Sequence, residues 1–209
     1  MTLPALKTDG VDAFLNAHGG AAGEFVRFSK EAKFVVVSDN TELSEGTRLN
    51  CIFDQTQHGW IKFNGVGKPP TRHMGGMFDG YVPPPRSELG DDDPTLWDPG
   101  LDGQPQDPWL FQVLLPLQDE ETGKLYIFQT SSKTGLRAVA TLISTCKQMA
   151  KRESDVWPVV ELKVSSFEHR DPRIGLVKKP DFKIVGKVNK SGVPQQIGAG
   201  AVLDDEIPF

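Results

Sequence analysis

Alternating apolar and polar positions predict strands through the first half of the chain. Residues 25–29 and 33–37 are β-rich runs on either side of Lys30-Glu31-Ala32, which predicts a hairpin. Runs at 48–53 and 60–63 predict a second hairpin, turned through 54–59.

The pattern is clearest in the second half. Runs at 109–117 and 125–130, joined by a turn at 120–123, predict a third hairpin. A helix is predicted at 133–151, because Ser132 has the side chain of an N-cap and an apolar stripe follows at three- and four-residue spacing. Two closing strands are predicted at 158–164 and 182–188. The sequence therefore predicts a mainly β protein with one long helix.

The same patterns divide the chain into segments. Residues 1–23 form an N-terminal segment whose weak apolar pattern predicts one short helix. The body is predicted at 24–188 and contains a long irregular insert at 64–108, rich in Pro and Asp. Residues 189–209 are predicted to form a flexible tail, because Gly, Gln, Pro, Ala and Ser leave little to bury.

The charge is distributed unevenly along the 209 residues. The net charge is −5, but seven acids lie at 88–107 and three at 204–206, so the remainder carries +5. The stretch 147–190 has eleven basic residues against six acids. A moderately basic body with two acidic appendages is compatible with binding of phosphates.

Several classes of protein are disfavoured. No run of about 18 apolar residues indicates a membrane span, and residues 1–20 lack the apolar stretch of a secretory signal. Cys51 and Cys146 lie far apart in apolar patterns, which favours buried, reduced thiols in a cytosolic protein.

Enzyme-like patterns are weak. Gly65-Val66-Gly67-Lys68 lacks the Ser or Thr that a phosphate loop needs, since Pro69 follows. Glu161 and Lys163 have the spacing of half a metal-dependent nuclease site, although strand alternation explains them equally well. The acids at 91–93 lack the spacing of a calcium loop, and the four histidines form no zinc pattern with the cysteines. We predict no enzymatic activity, no metal and no cofactor.

The most informative motif is the acidic end of the sequence, Asp204, Asp205, Glu206, Ile207, Pro208 and Phe209. The two apolar side chains suit a small apolar pocket, Pro208 keeps the segment extended, and the carboxylates suit an Arg/Lys rim. The alternative is a charged end that only keeps the protein soluble. The motif resembles the acidic tip of bacterial single-stranded DNA-binding proteins, which end in Asp-Asp-Asp-Ile-Pro-Phe or close variants; the one departure is Glu206.

That resemblance implies a body with an OB-fold-like barrel, in which a helix lies between the third and fourth barrel strands, here with an added N-terminal hairpin and the long insert. It also implies base stacking on aromatics, neutralisation of phosphates by Lys and Arg, and docking of replication, recombination or repair proteins on the tip. The strand and loop residues that we predict to contact DNA are Trp60, Lys62, Tyr126, Phe128, Arg27, Lys33, Lys124, Arg170, Arg173, Lys178 and Lys179. The alternative for the aromatics is a place in the core, and for the basic loop at 169–179 a solvated surface.

The sequence thus favours a cytosolic or phage-encoded single-stranded DNA-binding protein, with a homo-oligomer left open. The alternatives are a decoy or adaptor that carries the tip without binding DNA and, less favoured, a Mg²⁺-dependent nuclease.

Overall fold

A computed structural model describes residues 23–65, 68–100, 103–173 and 175–192. The described chain is mainly β with one helix. Its strands are β1 (Glu24–Phe28), β2 (Phe34–Val36), β3 (Glu42–Leu43), β4 (Arg48–Cys51), β5 (Gln57–Lys62), β6 (Thr71–Gly76), β7 (Trp109–Asp119), β8 (Leu125–Thr130), β9 (Val156–Glu168) and β10 (Leu176–Asn189), and its helix is α1 (Lys133–Ala150). Short 3₁₀ turns lie at Phe53–Gln55, Arg86–Glu88, Pro94–Leu96 and Lys190–Gly192.

The strands form one strongly curled mixed sheet with the shape of a half-barrel. Eight of them follow the order β10-β9-β4-β7-β8-β1-β2-β3, while β5 pairs with β6 and β7. The pairs are antiparallel except for β1 and β8, which are parallel. The predicted hairpins at 25–37 and 109–130 are confirmed as β1–β2 and β7–β8.

Strand β7 organises the sheet because it is long enough to pair with two strands along one edge. Its first half pairs with β5 and its second half with β4. The predicted hairpin at 48–63 is therefore wrong: β4 and β5 run one after the other along β7. The 3₁₀ turn at Phe53–Gln55 separates them, with Phe53 buried beneath it.

The stretch predicted as an irregular insert contains strand β6. It pairs with β5 through a register that places His73 opposite Trp60. Its sequence, Thr-Arg-His-Met-Gly-Gly, has neither aliphatic alternation nor β-branched residues beyond Thr71, so it carries little local strand signal.

The core lies inside the curl and beneath α1. Phe34, Phe128 and Phe182 pack as a ring triad with centroids 5.2 to 5.9 Å apart. The predicted helix is confirmed, and the Ser132 side chain accepts a hydrogen bond from the Gly135 N–H. Its apolar stripe, including Val139 and Cys146, is buried against the sheet.

The closing strands are longer than predicted, and regular structure continues to Gly192. Lys190 ends this region with an ion pair to Asp54, at 2.6 Å, and lies over the rings of Phe53 and Trp157. No helix within the described ranges is long and apolar enough to cross a membrane. The N-terminal segment to residue 22 and the tail from 193, with the predicted docking tip, lie outside the described residues.

Candidate nucleic-acid interface

One face of the sheet gathers aromatic and basic side chains from three strands. The register places Trp60 between His73 and Phe111, and Lys62 opposite Trp109. Directly opposed residues in antiparallel strands share a face, as do alternate residues of one strand. We call this group the aromatic face: His58, Trp60, Lys62, His73, Trp109 and Phe111.

The rings of the aromatic face contact one another in edge-on and tilted arrangements. Trp60 and Phe111 have centroids 5.3 Å apart with planes at 84°, and His73 and Trp109 are also 5.3 Å apart. Lys62 Nζ lies 5.9 Å from the centre of the Trp109 ring. The predicted pairing of Trp60 and Lys62 on one face holds, with Ile61 buried on the other side. Phe63, which directly follows β5, is 43% exposed.

This face also contains four residues that the sequence did not predict there: Trp109, Phe111, His58 and His73. Alternation alone places Trp109 and Phe111 on one side of β7. Only the β5–β7 register, which no local pattern specifies, shows that this side is shared with Trp60.

An acidic segment, residues 88–107, lies across this face, together with the loop before it. The Trp60 indole donates to the Pro84 carbonyl at 2.9 Å, and the Tyr81 carbonyl lies 3.1 Å from His58 Nε2. The Tyr81 ring packs so close to β6 that a Cβ on Gly75 would lie 2.4 Å from it. Glycine at this position therefore lets the loop sit directly on the sheet.

Asp91 is the centre of the contact between the acidic segment and the aromatic face. Its Oδ2 accepts from Lys62 Nζ at 2.7 Å and from the Trp109 indole N–H at 3.0 Å. Its backbone carbonyl accepts from the Trp97 indole at 2.7 Å and from Arg86 at 3.0 Å. The bond from Lys62 lowers the pKa of the Asp91 carboxyl below its ordinary value, so this group is ionised at neutral pH.

Arg86 holds the two ends of the acidic segment together. Its guanidinium binds both oxygens of Asp107, at 2.7 and 2.8 Å, and contacts Asp92 at 3.1 Å. Burial opposes ionisation of Asp107, but the bonds from Arg86 and the Trp109 backbone N–H outweigh it and lower the pKa of that carboxyl. The bidentate ion pair of Arg86 with Asp107 therefore closes the segment into a loop.

The predicted aromatics of β8 lie elsewhere. Phe128 is fully buried in the ring triad and Tyr126 is 7% exposed, so neither presents a ring face to solvent. The expectation of an exposed pair on β8 fails because this side of the strand faces the core. Burial raises the pKa of the Tyr126 hydroxyl, and Lys124 Nζ lies 5.4 Å from the ring centre.

The cations predicted to contact DNA from the β1–β2 and β7–β8 hairpins are spread over the surface. Lys33 pairs with Glu42 at 2.6 Å and Lys124 pairs with Glu24 at 2.9 Å, while Arg27 is exposed on β1. The structure does not bring these cations into the aromatic face.

The remaining cations lie on an arm formed by the ends of β9 and β10. From Ser165 onward β9 is paired only with β10 among the described strands, so residues 165–179, which we call the basic arm, project from the sheet. Lys178 and Lys179 lie within β10 rather than in a loop, and Arg173 is paired with Asp171 at 2.6 Å. Arg170 and Lys178 are exposed and form no ion pair with any other described residue.

The residues that have the spacing of half a nuclease site form an ion pair with each other. Glu161 pairs with Lys163 of the same strand at 2.9 Å. Within the described ranges no three His, Cys, Asp or Glu residues are grouped so that they could hold a metal ion. Cys51 and Cys146 are both buried, and burial raises the pKa of the Cys51 thiol.

No family model, curated protein or solved structure matches this chain.

Proposed function

We propose that this protein binds single-stranded DNA on the aromatic face and recruits other proteins through the acidic tip at 204–209. The observation that carries the DNA-binding part is the convergence of Trp60, Trp109 and Phe111 with Lys62 on one face of strands β5 and β7. Proteins that bind single strands without sequence preference combine aromatic faces for bases with cations for phosphates.

The energetics of stacking support this choice over a purely structural role. A base stacked on an aromatic side chain contributes on the order of 1–3 kcal/mol. Both Trp60 and Trp109 donate their indole N–H groups to the residues that cover the face, and Lys62 lies over the Trp109 ring. These groups suit a ligand that has both flat apolar rings and anionic oxygens.

The strand order supports an OB-fold-like barrel as the body. If β4 and β5 are taken as one interrupted strand, the order is strand, β7, β8, helix, β9, β10, with the helix between the third and fourth strands. The interrupted strand pairs with both β7 and β9, as a first barrel strand does. The β1–β2 hairpin adds to the free edge of β8.

The basic arm offers a second contact for the phosphate backbone. Arg170 and Lys178 are free of described ion pairs, so their charges are open to an incoming anion. Lys62 on the aromatic face and the exposed cations of the basic arm suit an extended strand that contacts both regions.

Titration of the intrinsic tryptophan fluorescence with oligo-dT tests the proposal. Three of the four tryptophans, Trp60, Trp97 and Trp109, lie on the aromatic face or in the segment that covers it, while Trp157 is buried elsewhere against Asp54. We expect quenching that weakens steeply as salt rises. A Trp157→Phe variant should keep the full quenching amplitude. A folded protein with no response at any salt would refute DNA binding and favour the adaptor without DNA affinity.

The recruiting role has a separate test. Removal of residues 204–209 should abolish capture of a purified protein known to bind such acidic tips, while the affinity for oligo-dT is retained or rises. Equal capture by the truncated protein would show that the segment only adds charge. Substitution of Phe209 and Ile207 by Ser, with the acids kept, separates the apolar contribution from the charge.

A further inference from the structure

We propose that the acidic segment is a resident competitor of nucleic acid, and that Asp91 occupies a phosphate subsite formed by Lys62 and Trp109. This inference rests on the proposed function, because it assigns the ligand of the same face. The segment and single-stranded DNA would exclude each other, so that the protein alternates between a covered and a DNA-bound form.

The geometry of Asp91 is that of an anion in a binding site. One carboxylate oxygen accepts two hydrogen bonds from different strands, Lys62 Nζ at 2.7 Å and the Trp109 indole N–H at 3.0 Å. An ammonium group and a neutral N–H that converge on one oxygen would bind a phosphate oxygen equally well. Trp60, two residues from Lys62 on the same face, would then receive an adjacent base.

The contact of Asp91 with the aromatic face is polar and partly exposed, which makes it exchangeable. The Lys62 and Asp91 side chains are 28% and 37% exposed, and such ion pairs contribute little to stability and weaken with salt. Trp109, by contrast, is only 5% exposed beneath the segment. The segment thus hides a large apolar ring with contacts that water or another anion can replace.

The backbone at this point is held in an uncommon conformation. Gly90 and Asp91 both have positive φ, at 74° and 57°, a conformation that is uncommon outside glycine and that aspartate adopts more readily than most other residues. Together the two residues place the Asp91 carboxylate on Lys62 and its carbonyl toward Arg86 and Trp97. The conformation is accounted for by the contact with the aromatic face.

Charge supports the same conclusion. The acidic segment has seven acids and no Lys or Arg, so its charge has the same sign as a nucleic-acid backbone. The Asp91 side chain binds two side chains of the aromatic face, whereas Asp107 is bound by Arg86 and the Trp109 backbone N–H, Asp92 is bound by Arg86, and Asp93 caps Thr95. Asp91 is therefore the position at which competition can be tested separately from overall charge.

The test compares two variants with the same change in net charge. Asp91→Asn removes the negative charge that contacts Lys62, whereas Asp93→Asn removes a negative charge at an exposed position in the same segment. At about 50 mM salt, we expect Asp91→Asn to bind oligo-dT roughly three- to tenfold more tightly than the wild type, and Asp93→Asn to differ by less than about twofold.

A third variant opens the segment without any change in charge. In Gly75→Ala the new methyl group would meet the Tyr81 ring at 2.4 Å, so the loop must shift away from β6. This variant should also bind oligo-dT more tightly and should show a red-shifted tryptophan emission before DNA is added.

The outcomes separate the inference from the function on which it rests. If the wild type binds oligo-dT but Asp91→Asn matches Asp93→Asn, or binds more weakly than the wild type, the competitor is refuted and the proposed function stands. If Gly75→Ala is folded and open but binds no better, the segment does not compete, and the inference is likewise refuted. If none of the proteins binds at any salt, both proposals fail together.

Discussion

The two halves of strand β7 show two ways of covering one face of a sheet. In the second half, Leu115 and Leu117 are buried by other apolar side chains in the main core. In the first half, Phe111 packs against the edge of that core, whereas Trp109, on the same side of the strand, is joined through its indole N–H to Asp91 of the acidic segment. One strand therefore carries both a permanent core and a face whose cover depends on polar contacts.

The two covers differ in the free energy that is needed to remove them from the sheet. Exposure of apolar surface from the main core to water is unfavourable at every position, so this cover cannot be given up piecemeal. The ion pair of Lys62 with Asp91 and the indole hydrogen bonds exchange for similar contacts with water or a ligand. We therefore expect substitutions in the first half to change binding and those in the second half to change stability.

The largest effect should follow from loss of a ring in the core. Phe128→Ala removes a fully buried side chain that packs on Phe34 and Phe182, and it should lower the free energy of unfolding by about 3–5 kcal/mol. Urea denaturation followed by circular dichroism measures the loss. Phe63→Ala, at a ring that is 43% exposed, is the control and should cost less than about 1 kcal/mol. Similar losses for both would contradict the assignment of the core.

The next effect concerns the aromatic face. Trp60→Ala should weaken binding of oligo-dT by about 1–3 kcal/mol because a stacking surface is lost. Its cost in stability should be smaller than that of Phe128→Ala, since Trp60 is only half-buried. Fluorescence anisotropy of labelled oligo-dT measures the affinity. Trp60→Phe keeps a ring and should recover most of the binding, whereas an affinity unchanged in Trp60→Ala would remove Trp60 from the interface.

The same division explains what the sequence could predict. The hairpins β1–β2 and β7–β8, helix α1 and the shared side of Trp60 and Lys62 follow from local patterns, because alternation, turn residues and an N-cap act over a few residues. The core position of Phe128 could not be predicted in this way, since alternation shows which residues share a face but not which face is buried.

The cover of the aromatic face depends on contacts between distant residues. Lys62 and Asp91 are 29 positions apart, and Trp60 reaches a backbone carbonyl 24 positions away. A contact with a backbone carbonyl does not depend on the residue type, so the sequence does not reveal it. The sequence also does not show which of the seven acids of the segment binds a lysine. Strand β6 could not be predicted for a related reason. Its two glycines have little preference for a strand, so the strand depends on its pairing with β5.

A smaller effect is expected at the basic arm. The double variant Arg170→Ala, Lys178→Ala removes two exposed cations and should lower the slope of log affinity against log salt by about 0.7 for each lost phosphate contact. Stability should be unchanged within about 0.5 kcal/mol. The double variant Lys33→Ala, Lys124→Ala is the matched control, because both lysines are already paired, with Glu42 and Glu24. An equal change of slope in both proteins would show a general effect of charge rather than a contact with the arm.

The smallest effect is the pH dependence of the cover. The pKa of Asp91 is lowered from an ordinary value of 3.8, chiefly by the hydrogen bond from Lys62. A carboxyl whose pKa is lowered in the closed form stabilises that form fully above its ordinary value, and the stabilisation is lost as pH falls through the lowered pKa. Tryptophan emission should therefore stay constant from about pH 8 to pH 5 and shift to the red only below about pH 4. Asp91→Asn should show the shifted emission of the open form already at neutral pH. A transition between about pH 5 and pH 7 would contradict control of the cover by Asp91.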